Sequence, residues 1–151
     1  STAQITVAEV AWDDPEAVSL RAAQRVEIDA LYGPGSEPGV APSAADIAVF
    51  LVAYADGRAV GCGGLRPLEP AAAEIKRMYV TPDWRGRGVS GAVLTALEAT
   101  ARERGWTTLR LETGPKQAAA IRFYERSGYA KIACFGAYAG DPSSHCYQRE
   151  L

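Results

Sequence analysis

The chain predicts an α/β (α+β) fold, with one mixed, mostly antiparallel sheet of about six or seven strands and helices on its faces. Three observations lead there. Runs with two-residue apolar alternation recur along the sequence, as half-buried strands require. Three of them follow one another between residues 47 and 80, separated only by short turns. Two stretches with four-residue apolar spacing then alternate with the remaining strands. The expected order is β-α-loop-β-β-β-α-β-α-β-β. No repeat or composition shift divides it, so residues 1–151 are expected to form one domain.

The elements follow in order. Residues 4–11 (QITVAEVA) alternate as a strand. A helix follows, with Asp13 or Asp14 as its cap, Pro15 in its first turn and Gly33 at its end. Its stripe is Ala17, Leu20, Gln24, Ile28 and Leu31, with Gln24 the one polar member. Residues 33–43 (GPGSEPGVAPS) are loop, either a substrate lid or a plain surface connection. Strands are expected at 47–55, 58–68 and 72–80, with Asp56-Gly57 marking a tight hairpin. By simple alternation Glu74, Lys76, Met78 and Val80 share one face of the third. A helix spans 88–105 on a stripe of Val89, Val93, Leu97 and Ala101. Residues 107–113 form a strand and 115–128 a helix closed by Gly128. Two final strands flank a Gly140-Asp141-Pro142 turn. Gly61, Gly63 and Gly64 lie inside a strand and mark either a bulge or a close ligand approach.

Charge and composition narrow the function classes. The formal net charge is −2, from 16 basic and 18 acidic side chains, which argues against general nucleic-acid or acidic-membrane binding. No apolar run approaches the roughly 20 residues of a membrane span. The first residues have neither the basic start nor the apolar centre of a secretion signal, and Ser1 suits a trimmed initiator Met. Cys62, Cys134 and Cys146 are scattered and odd in number, so no disulfide framework is expected and a cytoplasmic, reducing location is. One histidine and no C-x-x-C pair give too few ligands for a metal site. Cys62 has no titratable partner in its segment and reads as a small buried hydrophobe.

The most informative stretch is VTPDWRGRGVSGAVLTAL, residues 80–97. Gly86 and Gly88 allow a sharp backbone turn and leave amides open at a helix start, where the helix dipole favours an anion. Arg85 and Arg87 add charge at the rim. Gly86, Gly88 and Gly91 also match G-x-G-x-x-G, and Glu112 stands 21 residues after Gly91, as a dinucleotide site would ask. Three features oppose that reading: TPDW separates the strand from the first glycine, the motif follows an antiparallel meander, and two arginines flank the glycines.

Residues 80–105 resemble motif A of the GCN5-related N-acetyltransferases, whose pattern R/Q-x-x-G-x-G/A is occupied by Arg85, Gly86, Arg87, Gly88, Val89 and Ser90. Ser90 departs from the usual Gly or Ala but is small enough to admit a close ligand. AAAIRFYERSGYAKI resembles motif B of the same family, and the likeness covers roughly residues 47–136. The resemblance implies a sheet that splays open in a V between its fourth and fifth strands. It implies acetyl-CoA as co-substrate, with its pyrophosphate on the Arg85–Ser90 amides and its pantetheine along the backbone of Met78, Tyr79 and Val80. No metal is implied.

Acetyl transfer needs an amine stripped of its proton, an environment for the developing oxyanion, and a donor for the departing thiolate. Glu74 stands at the offset where the histone-acetylating branch of the family carries its base; ordinary surface pairing with Lys76 or a cross-strand arginine is the alternative. Tyr124, in RFYERSG, matches the tyrosine that many members place near the sulfur; a plain core aromatic is the alternative. Lys76, Arg77 and Arg66 could hold an anionic group of the acceptor, and Tyr138 could line its pocket, though a solvated strand face explains the cations equally well. The implied activity is acetyl transfer to a primary amine by direct attack in a ternary complex. A non-catalytic acyl-CoA sensor of the same fold is the alternative. The acceptor, small molecule or peptide, matches no readable motif, and a homodimer is left open.

Overall fold

The computed structural model describes residues 4–151. Seven strands form one sheet in the order β1-β2-β3-β4-β5-β7-β6. They are β1 (Thr6–Glu9), β2 (Val49–Ala55), β3 (Arg58–Leu68), β4 (Ala72–Val80), β5 (Thr108–Thr113), β6 (Ala130–Ile132) and β7 (His145–Glu150). Every pairing is antiparallel except β4 with β5. The helices are α1 (Pro15–Tyr32), α2 (Val89–Glu103) and α3 (Ala118–Arg126). Among the described residues no helix is long and apolar enough to cross a membrane.

The predicted signals explain most of these elements. Asp14 caps α1, its carboxylate accepting from the Glu16 and Ala17 amides at 3.1 Å each, a contact worth about 1 kcal/mol. Asp56 and Gly57 both take positive φ, 52° and 71°, the geometry of a two-residue hairpin turn. Helix α2 lays Val89, Val93, Leu97 and Ala101 on one face of the sheet, all 0–1% exposed. Each fully buried Val or Leu there contributes roughly 1.5–3 kcal/mol. Ala17 and Leu20 of α1 pack on the other face with Phe50, Val52 and Cys62. Cys62 is fully buried, and burial pushes its thiol up to about 12, which makes it inert packing.

Three of four expectations need correction and one is resolved. The strand face assigned to β4 breaks at a bulge. Gly64 faces Lys76 and Cys62 faces Tyr79, so Gly63 alone stands opposite Arg77 and Met78. Arg77 takes φ 61°, left-handed for a non-glycine residue. The parity flips there: Ile75, Met78 and Val80 join the α2-side core, while Tyr79 joins the α1 side. Second, of the two roles offered for the β3 glycines the bulge is the one found, at Gly63, and Gly61 and Gly63 also make room for packing. A Cβ on Gly61 would lie 2.6 Å from Val89 Cγ1, and one on Gly63 would lie 2.7 Å from Met78 Sδ. Third, the strand expected over 129–140 is three residues long, because Gly136 and Gly140 turn the chain (φ 54° and 78°) and Gly136–Tyr138 forms a 3-10 turn. Fourth, Cys134 and Cys146 form a disulfide, their Cα atoms 5.2 Å apart. The β6–β7 pairing sets Ile132 opposite Cys146. That brings together two cysteines whose sequence separation of 12 gave no hint.

Strand order positions the site. β4 and β5 pair only at Ala72–Thr108, Ala73–Leu109 and Glu74–Arg110. Beyond Glu74 they part, and β5 continues against β7 instead. The sheet therefore opens in a V, with β4 on one lip and β5 on the other.

Candidate active site

The V opens into a cleft of about 1100 Å³. Helix α1 crosses its back, which explains a stripe that outruns the sheet: Ile28 and Leu31 face the cleft rather than a strand. Gln24, the polar member, donates from Nε2 to the Met78 carbonyl at 2.9 Å, pinning α1 to the bulged lip. At the far end of α1, the Lys116 amide donates to Tyr32 Oη at 3.0 Å. Helix α1 is thus fastened to both lips of the V.

One end of the cleft is the glycine loop. Gly86 and Gly88 sit at φ 76° and 87°, and nothing lies within 4 Å of a Cβ built on either. The first bond of α2 runs from Ala92 N–H to Gly88 C=O. The amides of Val89, Ser90 and Gly91 are therefore spare donors at the positive end of the helix, and these residues line the cleft. Arg85 also lines it, but its charge is already engaged: Nη2 meets Glu27 Oε2 at 2.7 Å and Nε donates to the Val80 carbonyl at 3.1 Å. Arg85 ties the loop to α1 and β4. Arg87 turns away and stacks on Trp84, 4.7 Å from the ring centre. The anion-holding capacity of the loop is mainly backbone.

Met78, Tyr79 and Val80 line the β4 lip, where pairing with β5 has ended. Tyr124 reaches the cleft from α3. Burial raises its phenol above the ordinary tyrosine value, so it stays protonated, and among the described residues its hydroxyl has no hydrogen-bond partner.

Glu74 lies elsewhere. It is 2% exposed and does not line the cleft. Its Oε1 accepts from Arg66 Nη2 at 3.1 Å and Nε at 3.3 Å, and its Oε2 accepts from Tyr138 Oη at 2.5 Å. Lys76 Nζ stands 3.8 Å from the same oxygen and donates to Tyr138 Oη at 2.9 Å. As a base, Glu74 would have to act through Tyr138 or Lys76. The three cations considered as an acceptor seat are likewise engaged, Arg66 by Asp46 and Glu74, and Lys76 and Arg77 by Glu37.

Two carboxylates at the cleft escaped the sequence reading. Glu112, on the β5 lip, has its carboxyl raised chiefly by burial; the Ser144 hydroxyl donates to its Oε2 at 2.8 Å and works the other way. Its only sequence signal was the spacing from Gly91, which suited a dinucleotide reading. Glu37 sits in the Gly/Pro-rich loop. Arg77 grips it with both nitrogens (2.7 and 2.8 Å), Arg25 reaches Oε1 and Lys76 reaches Oε2, each at 3.2 Å. Burial opposes ionisation, yet Arg77 and Lys76 hold the carboxyl at about 2. Nothing in a loop sequence marks such a clamp.

Comparison with known proteins agrees with this geometry. The model of the acetyltransferase (GNAT) family matches residues 7–129. An IAA acetyltransferase of Azospirillum brasilense is 40% identical over 103 residues, covering 68% of this chain and 67% of that protein. A crystal structure from Klebsiella pneumoniae, assigned as an acyl-CoA N-acyltransferase, is 36% identical with a TM-score of 0.85 over 98% of both chains. A Thermoplasma acidophilum PaiA N-acetyltransferase, solved with coenzyme A, shares the fold at 18% identity, with a TM-score of 0.74 over 98% of this chain and 99% of that one. The chain belongs to the GNAT acetyltransferase family, and its splayed sheet is that family's acyl-CoA N-acyltransferase fold.

Proposed function

We propose that the protein transfers an acetyl group from acetyl-CoA to a primary amine in a ternary complex. One observation carries the reading: the spare amides of Val89, Ser90 and Gly91 stand at the mouth of a cleft that follows the parting of β4 from β5. A diphosphate fits those amides by charge and by the absence of side chains at Gly86 and Gly88. An extended amide-bearing arm fits the open edge of β4 along Met78, Tyr79 and Val80. Fold relatives solved with acetyl-CoA or coenzyme A support the same co-substrate.

The chain's own residues divide the remaining work. Glu112 faces the cleft and takes the proton from the acceptor amine; its raised pKa moves it toward the working range of a general base. Tyr124 stays protonated and donates to the sulfur as thiolate charge develops. Glu74 holds Tyr138 and Lys76 behind the β4 lip, and contributes to catalysis through them. The thioester supplies the activated acetyl group.

The test is calorimetry with acetyl-CoA, followed by thiol release across an amine panel. Gly88→Val should weaken coenzyme binding tenfold or more while the circular dichroism spectrum is kept, since a left-handed non-glycine residue costs roughly 1–3 kcal/mol. Unchanged affinity would remove the loop from the site. Tight binding without thiol release on any amine would point to an acyl-CoA sensor.

A further inference from the structure

Glu112 is held by a single side chain. Ser144 Oγ donates to its Oε2 at 2.8 Å, and among the described residues its Oε1 has no hydrogen-bond partner. Both residues line the cleft. One oxygen is therefore fixed and the other is left to meet an amine.

Ser144 belongs to residues 133–144, which leave β6 and return as β7. Among the described residues every backbone hydrogen bond of this segment stays inside it: the amides of Tyr138, Ala139, Asp141 and Ser144 donate to the carbonyls of Phe135, Gly136, Tyr138 and Asp141. Its bonded attachments to the body are the Cys134–Cys146 cystine, the Tyr138 hydroxyl with Glu74 and Lys76, and the Ser144 hydroxyl with Glu112.

The cystine stands beside the carboxylate. Cys146 is directly opposite Glu112 on the β5–β7 ladder. Opposed residues share a face, as the Thr108–Glu150 and Arg110–Gln148 side-chain bonds of the same ladder show at 2.9 and 3.1 Å. Cys146 is fully buried and Cys134 half-buried, so a thiol approaches from the Cys134 side.

Resting on the reading of Glu112 as the base, we propose that Ser144 is its positioning residue and that the Cys134–Cys146 cystine is a redox control on that hold: a dithiol that opens the cystine frees residues 133–144 and releases Glu112. The exchange balances. A dithiol thiolate attacks the Cys134 sulfur and expels the Cys146 thiolate; the second thiol then displaces Cys134 and the dithiol leaves as its own disulfide. Two electrons and two protons end on the two cysteines.

The sign follows from the donor. A hydroxyl that donates to a carboxylate favours its ionised form, so losing it raises Glu112 further above the ordinary carboxylate value. Other groups face Glu112 from β4 (Glu74 and Lys76), from the loop after α1 (Glu37), from α1 (Tyr32) and from the cystine segment (Tyr138). Glu37 is held at about 2 and both tyrosines are raised, so none of these three titrates with Glu112. His145 stands opposite Thr113, on the other face of the sheet.

The test follows the Glu112 carboxyl by carbon NMR titration, with Glu112→Gln to identify its signal. Reduction by dithiothreitol, and separately Ser144→Ala, should each move the titration midpoint to higher pH. In Ser144→Ala the reductant should add nothing, and Ser144→Thr, which keeps the hydroxyl, should titrate as wild-type. A midpoint that Ser144→Ala leaves in place overturns the proposal. So does one unmoved by dithiothreitol once thiol counting finds all three cysteines free. If reduced protein unfolds by circular dichroism, Cys134→Ala with Cys146→Val refills the buried site without the bond and takes its place, with the same expected shift. With an amine that releases thiol from acetyl-CoA, Ser144→Ala should lower kcat/KM about tenfold on the acid limb and leave the plateau within about twofold, as a lost hydrogen bond to a charged group implies. An equal fall at every pH marks a merely structural role and overturns the proposal. If no amine releases thiol, the acetyltransferase reading fails, and the NMR titration alone decides the hold on Glu112: a moved midpoint supports it and an unmoved one overturns it.

Discussion

Burial raises the Glu112 carboxyl, while cations hold that of Glu37 near 2. These two shifts give opposite pH signatures. Glu112 must be ionised to accept a proton, so kcat/KM should fall on acidification through a pKa above the ordinary carboxylate value. Glu112→Gln should lower turnover about 10²-fold or more and flatten that limb. A retained limb would assign it to another group. For Glu37 the sign is that of a depressed carboxylate: its stabilising contribution is complete above its ordinary 4.5 and is lost as pH falls from there toward 2. Protection from hydrogen exchange over residues 33–43, each rate divided by its intrinsic value at that pH, should therefore fall between pH 5 and pH 3, with Glu37→Gln lowering it already at pH 6. At this scale the sequence was partly legible. Glycines at 86 and 88 and the tyrosine at 124 carry local signatures, and each lines the cleft. Glu37 and Glu112 carry none, because what distinguishes them is three cations from α1 and β4 in one case and enclosure between strands in the other.

At the scale of elements, β3 and α2 approach so closely that two glycine positions, Gly61 and Gly63, are filled by neighbours. A Cβ on Gly63 would also lie 3.1 Å from both Leu97 Cδ1 and Val93 Cγ1. Gly61→Ala and Gly63→Ala should each destabilise by about 1–3 kcal/mol as α2 is pushed off the sheet. Urea unfolding checks this, and near-wild-type midpoints would show that the helix can shift freely. Caps, the hairpin turn and the apolar stripes made both long helices and the meander readable. The bulge was hinted at by the β3 glycines, but its effect on the β4 faces at Arg77 was not readable, since two-residue alternation contains no mark for a skipped partner. Placing Met78 on the α2 side required seeing that Gly63 faces two residues. The insertion of β7 between β5 and β6 was equally hidden, because local patterning says nothing about which edge a last strand chooses.

For the molecule as a whole, the V is held by few direct bonds between its lips, so a ligand bridging them should register in global stability. Acetyl-CoA at about 100 times its dissociation constant should add about 2.7 kcal/mol, a rise of roughly 5–10 °C in Tm for a chain of this size. A nicotinamide dinucleotide should add nothing. The cystine makes a second global prediction. A link closing a loop of this length is worth about 3 kcal/mol in the chain-entropy view, so Cys134→Ser should lower the unfolding midpoint. Thiol titration of the unfolded, unreduced chain should find only Cys62 reactive.

Strand order also sets a timetable for synthesis. β5 has three partners on β4 and gains a full second neighbour only from His145–Glu150. A nascent chain that has completed α3 already contains Gly86, Gly88 and Tyr124, yet its fifth strand has one short seam to hold it. The wall bearing Glu112 is secured only once residue 150 has cleared the ribosome, so a half-made molecule can present a loop for phosphate but no finished chamber behind it.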